Sequence, residues 1–181
     1  MLKIGCLQVY TGNGKGKTTA ALGCALRMLA CGGNVFFGQF IKGKKLSSEF
    51  EILNKFNSFS YKSFGKGRFI KGKPDLEDLQ FASDGLEYAL DILKSEKFDL
   101  IVLDELNGAL NCSLLEIDKV MEFIQTFKDL NSVDNKRKTE LIITGRNADN
   151  RIIQAADLVS EIQPVKHYFD ANVLARKGIE L

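Results

Sequence analysis

The stretch Val9–Gly23, VYTGNGKGKTTAALG, constrains this chain more than any other. An apolar run from Leu2 to Tyr10, with β-branched and aromatic members, leads into it. Lys17 to Cys31, rich in Ala and Leu, leads out of it. A strand, a glycine–lysine turn and a helix in that order form an anion cradle. The glycines let backbone N–H groups turn inward, and the helix start adds its positive end. The phosphate-loop pattern is G-x-x-x-x-G-K-[ST]. Gly16, Lys17 and Thr18 fit its last three positions, and Thr11 stands where the first glycine would be. Gly12 and Gly14 supply freedom beside it. Lys17 brings a charge to phosphates, and Thr18 offers a hydroxyl to Mg²⁺. A plain glycine-rich turn with exposed lysines is the bland alternative, and the flanking strand and helix speak against it.

The rest of the chain continues the alternation. Strands are expected at Val35–Ile41, Phe59–Phe64, Leu100–Leu103, Leu141–Thr144 and Leu158–Ile162. Helices are expected at Ser47–Phe56, Asp75–Lys94, Ser113–Leu130 and Asp149–Ala156. The apolar stripe of the longest runs through Leu76, Leu79, Phe81, Leu86, Ala89, Leu90 and Leu93. Such repeats predict an α/β fold of three layers, a mostly parallel sheet with helices on both faces. With the phosphate loop, this is the RecA-like P-loop NTPase type. At 181 residues, one domain spanning 1–181 is the simplest expectation. A formal net charge of +2 argues against a nucleic-acid partner. No run approaches the roughly 18 apolar residues of a membrane span, and no leader is expected. Cys6, Cys24, Cys31 and Cys112 show no C-x-x-C pair, so they read as small buried residues in a reducing cytoplasm.

Two further strand ends carry chemistry. LIVLDEL, Leu100–Leu106, delivers Asp104 and Glu105 to the carboxyl edge of the sheet, where open α/β sheets bind ligands. One carboxylate would complete a metal site and the other would hold a lysine or a water. A merely solvated strand end is the alternative for this segment alone. LIITGRNA, Leu141–Ala148, brings Arg146 to the same edge, where a guanidinium can share charge on phosphate oxygens. His167 is the only histidine, and a lone histidine is more often structural than catalytic. Lys62, Lys66, Arg68, Lys71 and Lys73 surround a glycine loop at 65–73. They read as a solvated basic face, or as a lid that steers an anionic substrate or an electron donor.

At these residues the chain resembles the ATP:corrinoid adenosyltransferases of the phosphate-loop type. YTGNGKGKTTAALG is similar to that family's loop, including the threonine at Thr11. QFIKG at Gln39–Gly43, VLDEL and IITGR follow in order. The ending ADLVSEIQPVKHYFDANVLARKGIE, with Pro164–His167 and Phe169–Ala171 in register, makes the likeness specific. The resemblance implies transfer of the 5′-deoxyadenosyl group of ATP to the Co(I) ion of a corrinoid, with release of triphosphate. It implies an ATP site at Thr11, Gly12, Asn13, Gly14, Lys15, Gly16, Lys17, Thr18 and Thr19. It implies Mg²⁺, or Mn²⁺ in its place, on Thr18 and Glu105, and Arg146 on phosphate. Lys17 and Arg146 would serve the reaction itself. ATP would lie reversed relative to most phosphate-loop proteins, with its ribose 5′ carbon toward the corrinoid. Phe69 is the nearest aromatic to the family's frequent tryptophan in the 65–73 loop, and would help keep cobalt free of a lower ligand. Phe69 and His167 are therefore counted with the substrate-facing residues. The family frequently has a helix ahead of the first strand, so part of that cover is expected to be missing or to come from elsewhere. The resemblance also suggests a cytoplasmic homodimer and, as a further partner, a flavoprotein reductant.

Two rival readings stay open at this stage. An ordinary phosphate-loop ATPase or kinase would use Glu105 to activate water, or Asp104 to orient a hydroxyl, and would release ADP. A nucleotide-dependent binding module would hold a corrinoid without turnover. All three readings need the phosphate loop. Lys17→Ala is expected to abolish nucleotide-dependent activity with an unchanged circular dichroism spectrum. Near-normal turnover in that variant would remove the phosphate-loop assignment.

Overall fold

The computed structural model describes residues 2–41, 43, 48–67, 72–134 and 137–179. In chain order its elements are β1 (Leu7–Thr11), α1 (Lys17–Ala30), β2 (Val35–Phe40), α2 (Ser48–Leu53), β3 (Phe59–Phe64) and α3 (Leu76–Lys94). There follow β4 (Leu100–Asp104), α4 (Leu106–Asn111), α5 (Ile117–Ser132), β5 (Glu140–Thr144), α6 (Asn150–Ala155) and β6 (Leu158–Glu161). A short 3-10 turn, Tyr168–Ala171, lies in the C-terminal tail. The strands form one sheet in the order β3-β2-β4-β5-β1-β6, and every pairing is parallel.

The inner strands β1, β2, β4 and β5 are buried on both faces, as a sheet covered on both sides requires, while the edge strand β6 is exposed along its length. Alternate residues feed two separate cores. Leu7, Val9, Phe36, Phe40, Ile101, Leu103, Leu141 and Ile143 pack under residues of α3, α4, α5 and α6. Val35, Phe37, Leu100, Val102 and Ile142 pack under Ala21, Ala25 and Leu29 of α1 and Phe50 and Leu53 of α2. Burying each large side chain of this kind contributes about 1.5–3 kcal/mol. The expected three layers are therefore present.

Several boundaries differ from expectation. The helix expected at Ser113–Leu130 begins only at Ile117. A separate six-residue helix, α4, precedes it, too short for its periodicity to be read. Of the expected α3 stripe, Leu86, Ala89 and Leu93 are buried and Leu79 and Leu90 pack against the core, but two positions differ. Leu76 and Phe81 face solvent, while Ala82, Leu86, Ala89 and Leu93 are buried. Small residues let α3 sit close to the sheet, and size alone misplaces those two positions. Asp75 lies outside this helix and caps it, accepting from Asp78 N–H while the Asp78 side chain returns to Asp75 N–H. Among the cysteines, all four are free, but Cys31 is exposed at the end of α1 and the other three are only half-buried. Among the described residues no helix is long and apolar enough to cross a membrane.

The amino edge of the sheet is tied by Asp99. Its carboxylate, 4 % exposed as a residue, accepts from Asn34 N–H (2.8 Å) and from the Arg137 guanidinium, with Nε at 2.8 Å. Burial pushes the Asp99 carboxyl up, but the hydrogen bonds from Arg137 and Asn34 outweigh it and hold it below its ordinary value. A carboxyl lowered in the folded state stabilises the fold above its unfolded-state value, and that contribution is lost as pH falls through the folded-state value. Asp99→Asn is expected to lower stability at neutral pH by about 1–3 kcal/mol and to flatten the acid limb. Urea unfolding across the acid range measures both.

Candidate active site

Three adjacent strands, β4, β5 and β1, end at one edge of the sheet, and each ends in a motif singled out above. Positions far apart in the chain thereby meet. Tyr10 lies beside Thr144, and Gln39 beside Asp104. A cleft of about 940 Å³ opens over this edge. It is lined by Asn13–Thr19, by Glu105 and Arg146, by Ser48, Glu49 and Ile52, and by the tail at His167, Tyr168 and Asn172–Ala175. Its volume lies near the top of the roughly 300–1,000 Å³ range of small-molecule pockets.

The loop is built to receive an anion. α1 begins on Gly16, at φ 123°, with no side-chain cap and no acidic residue in its first turn. Its first N–H groups and the positive end of its dipole therefore face the cleft without a carboxylate of their own. Lys17 is buried, and its ammonium donates to the carbonyls of Gly12 (2.7 Å) and Gly14 (2.8 Å). Burial pushes the Lys17 amine below its ordinary value; Glu105 and Asp104 pull it back up and Arg146 adds to the lowering.

Asp104 is wholly buried, and its carboxylate is met by three donors. Thr18 Oγ1 (2.9 Å) and Thr144 Oγ1 (2.7 Å) both donate to Oδ1, and Gln39 Nε2 donates to Oδ2 at 2.7 Å. Tyr61 OH in turn donates to Gln39 Oε1 at 3.0 Å. Because the Thr18 proton points at Asp104, the lone pairs of Thr18 Oγ1 point away from it. Glu105 lines the same cleft from the left-handed backbone region, φ 59°, with its N–H on Thr144 Oγ1 at 3.0 Å. A hydroxyl with its proton committed and a carboxylate beside it are hard oxygen donors. They suit Mg²⁺ shared with phosphate oxygens, so the residues present fit such an ion.

The expected site residues divide into two groups. Asn13, Gly14, Lys15, Gly16, Lys17, Thr18, Thr19, Glu105, Arg146 and His167 all line the cleft. Thr11 and Gly12 do not. Thr11 is buried and its hydroxyl accepts from Ala148 N–H at 3.1 Å. Gly12, at φ 92°, has Ile162 against it: a Cβ there would meet Ile162 O at 2.5 Å. Gly14 donates its N–H to the same carbonyl at 2.7 Å. These two glycines let the end of β6 close on the loop. Phe69 lies outside the described residues.

Beyond Ile162 the tail runs back over the loop. Lys15 Nζ donates to Tyr168 OH (2.8 Å) and to Ile179 O (3.2 Å), and it lies 5.5 Å from the Tyr168 ring centre. Arg176 stacks on the same ring at 4.8 Å. Val173, Leu174, Ala175 and Ile179 of the tail line the same cleft as Ser48, Glu49 and Ile52 of α2, and Leu174 is 83 % exposed. Cationic and apolar groups thus line one cleft.

The sequence reading left Gln39 and Tyr168 without site roles, and offered Asp104 as one of two carboxylates for a metal, a lysine or a water; the structure instead buries it under three hydrogen-bond donors. Asp104 and Gln39 were visible as members of VLDEL and QFIKG, but their pairing depends on strand register. Tyr168 was visible only as part of the ending, and its hydrogen bond to Lys15 spans 153 positions.

Residues 3–181 match the family described as ATP:corrinoid adenosyltransferase BtuR/CobO/CobP. The chain is 37% identical over 177 residues to a corrinoid adenosyltransferase of Pseudomonas aeruginosa, covering 97% of this chain and 83% of that one. It is 33% identical over 176 residues to one of Escherichia coli K12, and 34% over 176 residues to one of Salmonella typhimurium. Each of those alignments covers 97% of this chain and 85% of the relative. Among solved structures, flagellar accessory protein FlaH of Methanocaldococcus jannaschii superposes with a TM-score of 0.57 at 15% identity, over 87% of this chain and 71% of that one. That likeness concerns the fold alone.

The buried state of Lys17 has a measurable consequence. A lysine lowered in the folded state makes the fold relatively more stable as pH rises toward the unfolded-state value, because the unfolded chain then holds more protons. A phosphate chain in the cleft favours the charged amine again. Binding of a nucleoside triphosphate at alkaline pH is therefore expected to take up protons. Calorimetry in two buffers of different ionisation enthalpy reads that uptake, and Lys17→Met should remove it.

Proposed function

Because the chain belongs to the ATP:corrinoid adenosyltransferase family, we propose that this cleft holds ATP with its triphosphate on the phosphate loop and Arg146, and a reduced corrinoid against the apolar residues of the tail and α2. The supporting observation is that Lys17, Thr18, Glu105 and Arg146 line one cleft together with the apolar Ile52, Val173 and Leu174. The Co(I) ion of the corrinoid substrate carries the attacking electron pair. It attacks the ribose 5′ carbon; the Co–C bond forms as the C5′–O bond breaks. The bonding pair leaves on the triphosphate, and cobalt ends formally as Co(III). Such a nucleophile needs no general base, and the burden falls on the leaving group.

The chain's own residues meet that burden by fixed electrostatics. Lys17 exchanges the Gly12 and Gly14 carbonyls for phosphate oxygens. The first N–H groups of α1 donate to the same chain of phosphates. Arg146 approaches from the end of β5, the strand next to the one that leads into the loop. Asp104 holds the Thr18 hydroxyl with its lone pairs turned away from the carboxylate, and Thr18 with Glu105 would hold Mg²⁺ or Mn²⁺. The ion, when bound, neutralises charge on the departing triphosphate. Ile52, Val173 and Leu174 offer the corrinoid an apolar surface, with His167 and Tyr168 beside it. The protein is placed as a cytoplasmic homodimer served by a flavoprotein reductant; these three points rest on the resemblance alone.

The test mixes the protein with ATP, Mg²⁺ and a chemically reduced Co(I) corrinoid without oxygen. Loss of the Co(I) absorption band with one triphosphate per corrinoid is the expected outcome. ADP with an unchanged corrinoid spectrum would instead assign the loop to phosphoryl chemistry. Binding of the corrinoid without any phosphate product would assign it to a binding module.

A further inference from the structure

Arg146 stands on a loop with no helix or strand to hold it. β5 ends at Thr144 and α6 begins only at Asn150. Gly145 before it has φ 127° and Asn147 after it has φ 48°, both in the left-handed region. A charge meant for a leaving group must nonetheless stand still, since electrostatic stabilisation depends on preorganised geometry. Other elements therefore have to fix the backbone from which the guanidinium extends.

Three contacts do so. Gly145 N–H donates to Tyr10 O at 3.2 Å, and Ala148 N–H donates to Thr11 Oγ1 at 3.1 Å, so the end of β1 holds both ends of the loop. Between them the Asn111 side chain, at the last turn of α4, reaches across 35 positions. Its Nδ2 donates to Arg146 O at 2.6 Å, to Asn147 O at 3.3 Å and to Asn107 O of its own helix at 2.8 Å. Close packing completes the seat. A Cβ at Gly145 would come within 2.7 Å of Gly108 N and 2.9 Å of Asn107 Cβ. The loop therefore rests directly on α4, the helix that follows Glu105.

We propose that Asn111 and Thr11 are positioning residues for Arg146, clamping its loop from α4 and β1 so that the guanidinium meets the leaving triphosphate. This inference rests on the reading that Arg146 serves adenosyl transfer. It also accounts for a threonine at the position where the general phosphate-loop pattern has glycine. The Thr11 hydroxyl is turned to Ala148 and away from the cleft. A purely structural role for Asn111, closing the end of α4 through Asn107 O, would touch stability and leave Arg146 unaffected.

The experiment is a double-mutant cycle on single-turnover loss of the Co(I) band at saturating ATP, with ATP affinity and melting temperature recorded for each variant. Asn111 is exposed, so Asn111→Ala keeps the fold. It is expected to slow transfer about tenfold, the scale of a displacement well under 1 Å at a reacting centre, with ATP affinity little changed. Thr11→Val should act in the same direction, and Thr11→Ser, which keeps the accepting oxygen, should restore the rate. In an Arg146→Ala background, Asn111→Ala should cause no further loss. Wild-type transfer in Asn111→Ala, or an undiminished further loss in the Arg146→Ala background, would overturn the clamp while leaving the role of Arg146 standing. Wild-type transfer in Arg146→Ala alone would overturn both.

Discussion

The buried carboxylate of Asp104 is the contact on which the arrangement of this site depends. A lone carboxylate in an apolar sheet is costly to bury, and three donors from three different elements offset that cost. Thr18 comes from α1, Gln39 from β2 and Thr144 from β5. Hydrogen bonds to a charged group are worth about 1.5–3 kcal/mol each, so displacing any one element exposes an expensive deficit. The same bonds set the chemistry. They turn the lone pairs of the Thr18 hydroxyl away from Asp104, and through Thr144 they also hold the backbone of Glu105. The stability of the sheet's carboxyl edge and the geometry of its oxygen donors are one property.

Around that hub the cations are held in reserve. Lys17 is folded onto the carbonyls of its own loop, and Lys15 onto Tyr168 and the Ile179 carbonyl. Each bond keeps a charged amine satisfied and can be exchanged for a phosphate oxygen. The glycines of the loop have a second duty. Gly12 and Gly14 admit Ile162 to hydrogen-bonding distance, which is what brings the tail over the cleft. The apolar groups that the tail brings to the cleft therefore depend on residues whose pattern first suggests only phosphate binding.

Much of this was legible from residues alone where the chemistry is local. A strand running into GNGKGKT and then an Ala- and Leu-rich helix has few other physical readings, and α1 begins at Lys17 as expected. Strand ends at Asp104 and Thr144 were legible because apolar runs stop abruptly at polar residues. The resemblance drawn from the loop, VLDEL, IITGR and the C-terminal ending agrees with the family match over residues 3–181. Errors arose where small residues or short elements decide. The six residues of α4 are too few to show a period, and α3 turned the face carrying Ala82 and Gly85 to the sheet instead of Leu76 and Phe81. Cys31 reads as a buried residue by type, yet it sits at an exposed helix end.

By itself the sequence determined the alternation of strands and helices, the anion-binding character of the loop and the family, because each of these is written in contiguous residues. Tertiary structure alone decided which distant residues share an edge. Parallel strands pair by register across crossovers, so Gln39 meets Asp104 and Tyr10 meets Thr144 at separations that no local pattern records. It decided that Thr11 serves the Arg146 loop while Thr18 faces the cleft, though both are threonines of one short motif. A hydroxyl's role follows from which donor or acceptor lies within hydrogen-bonding distance, and only packing sets that distance.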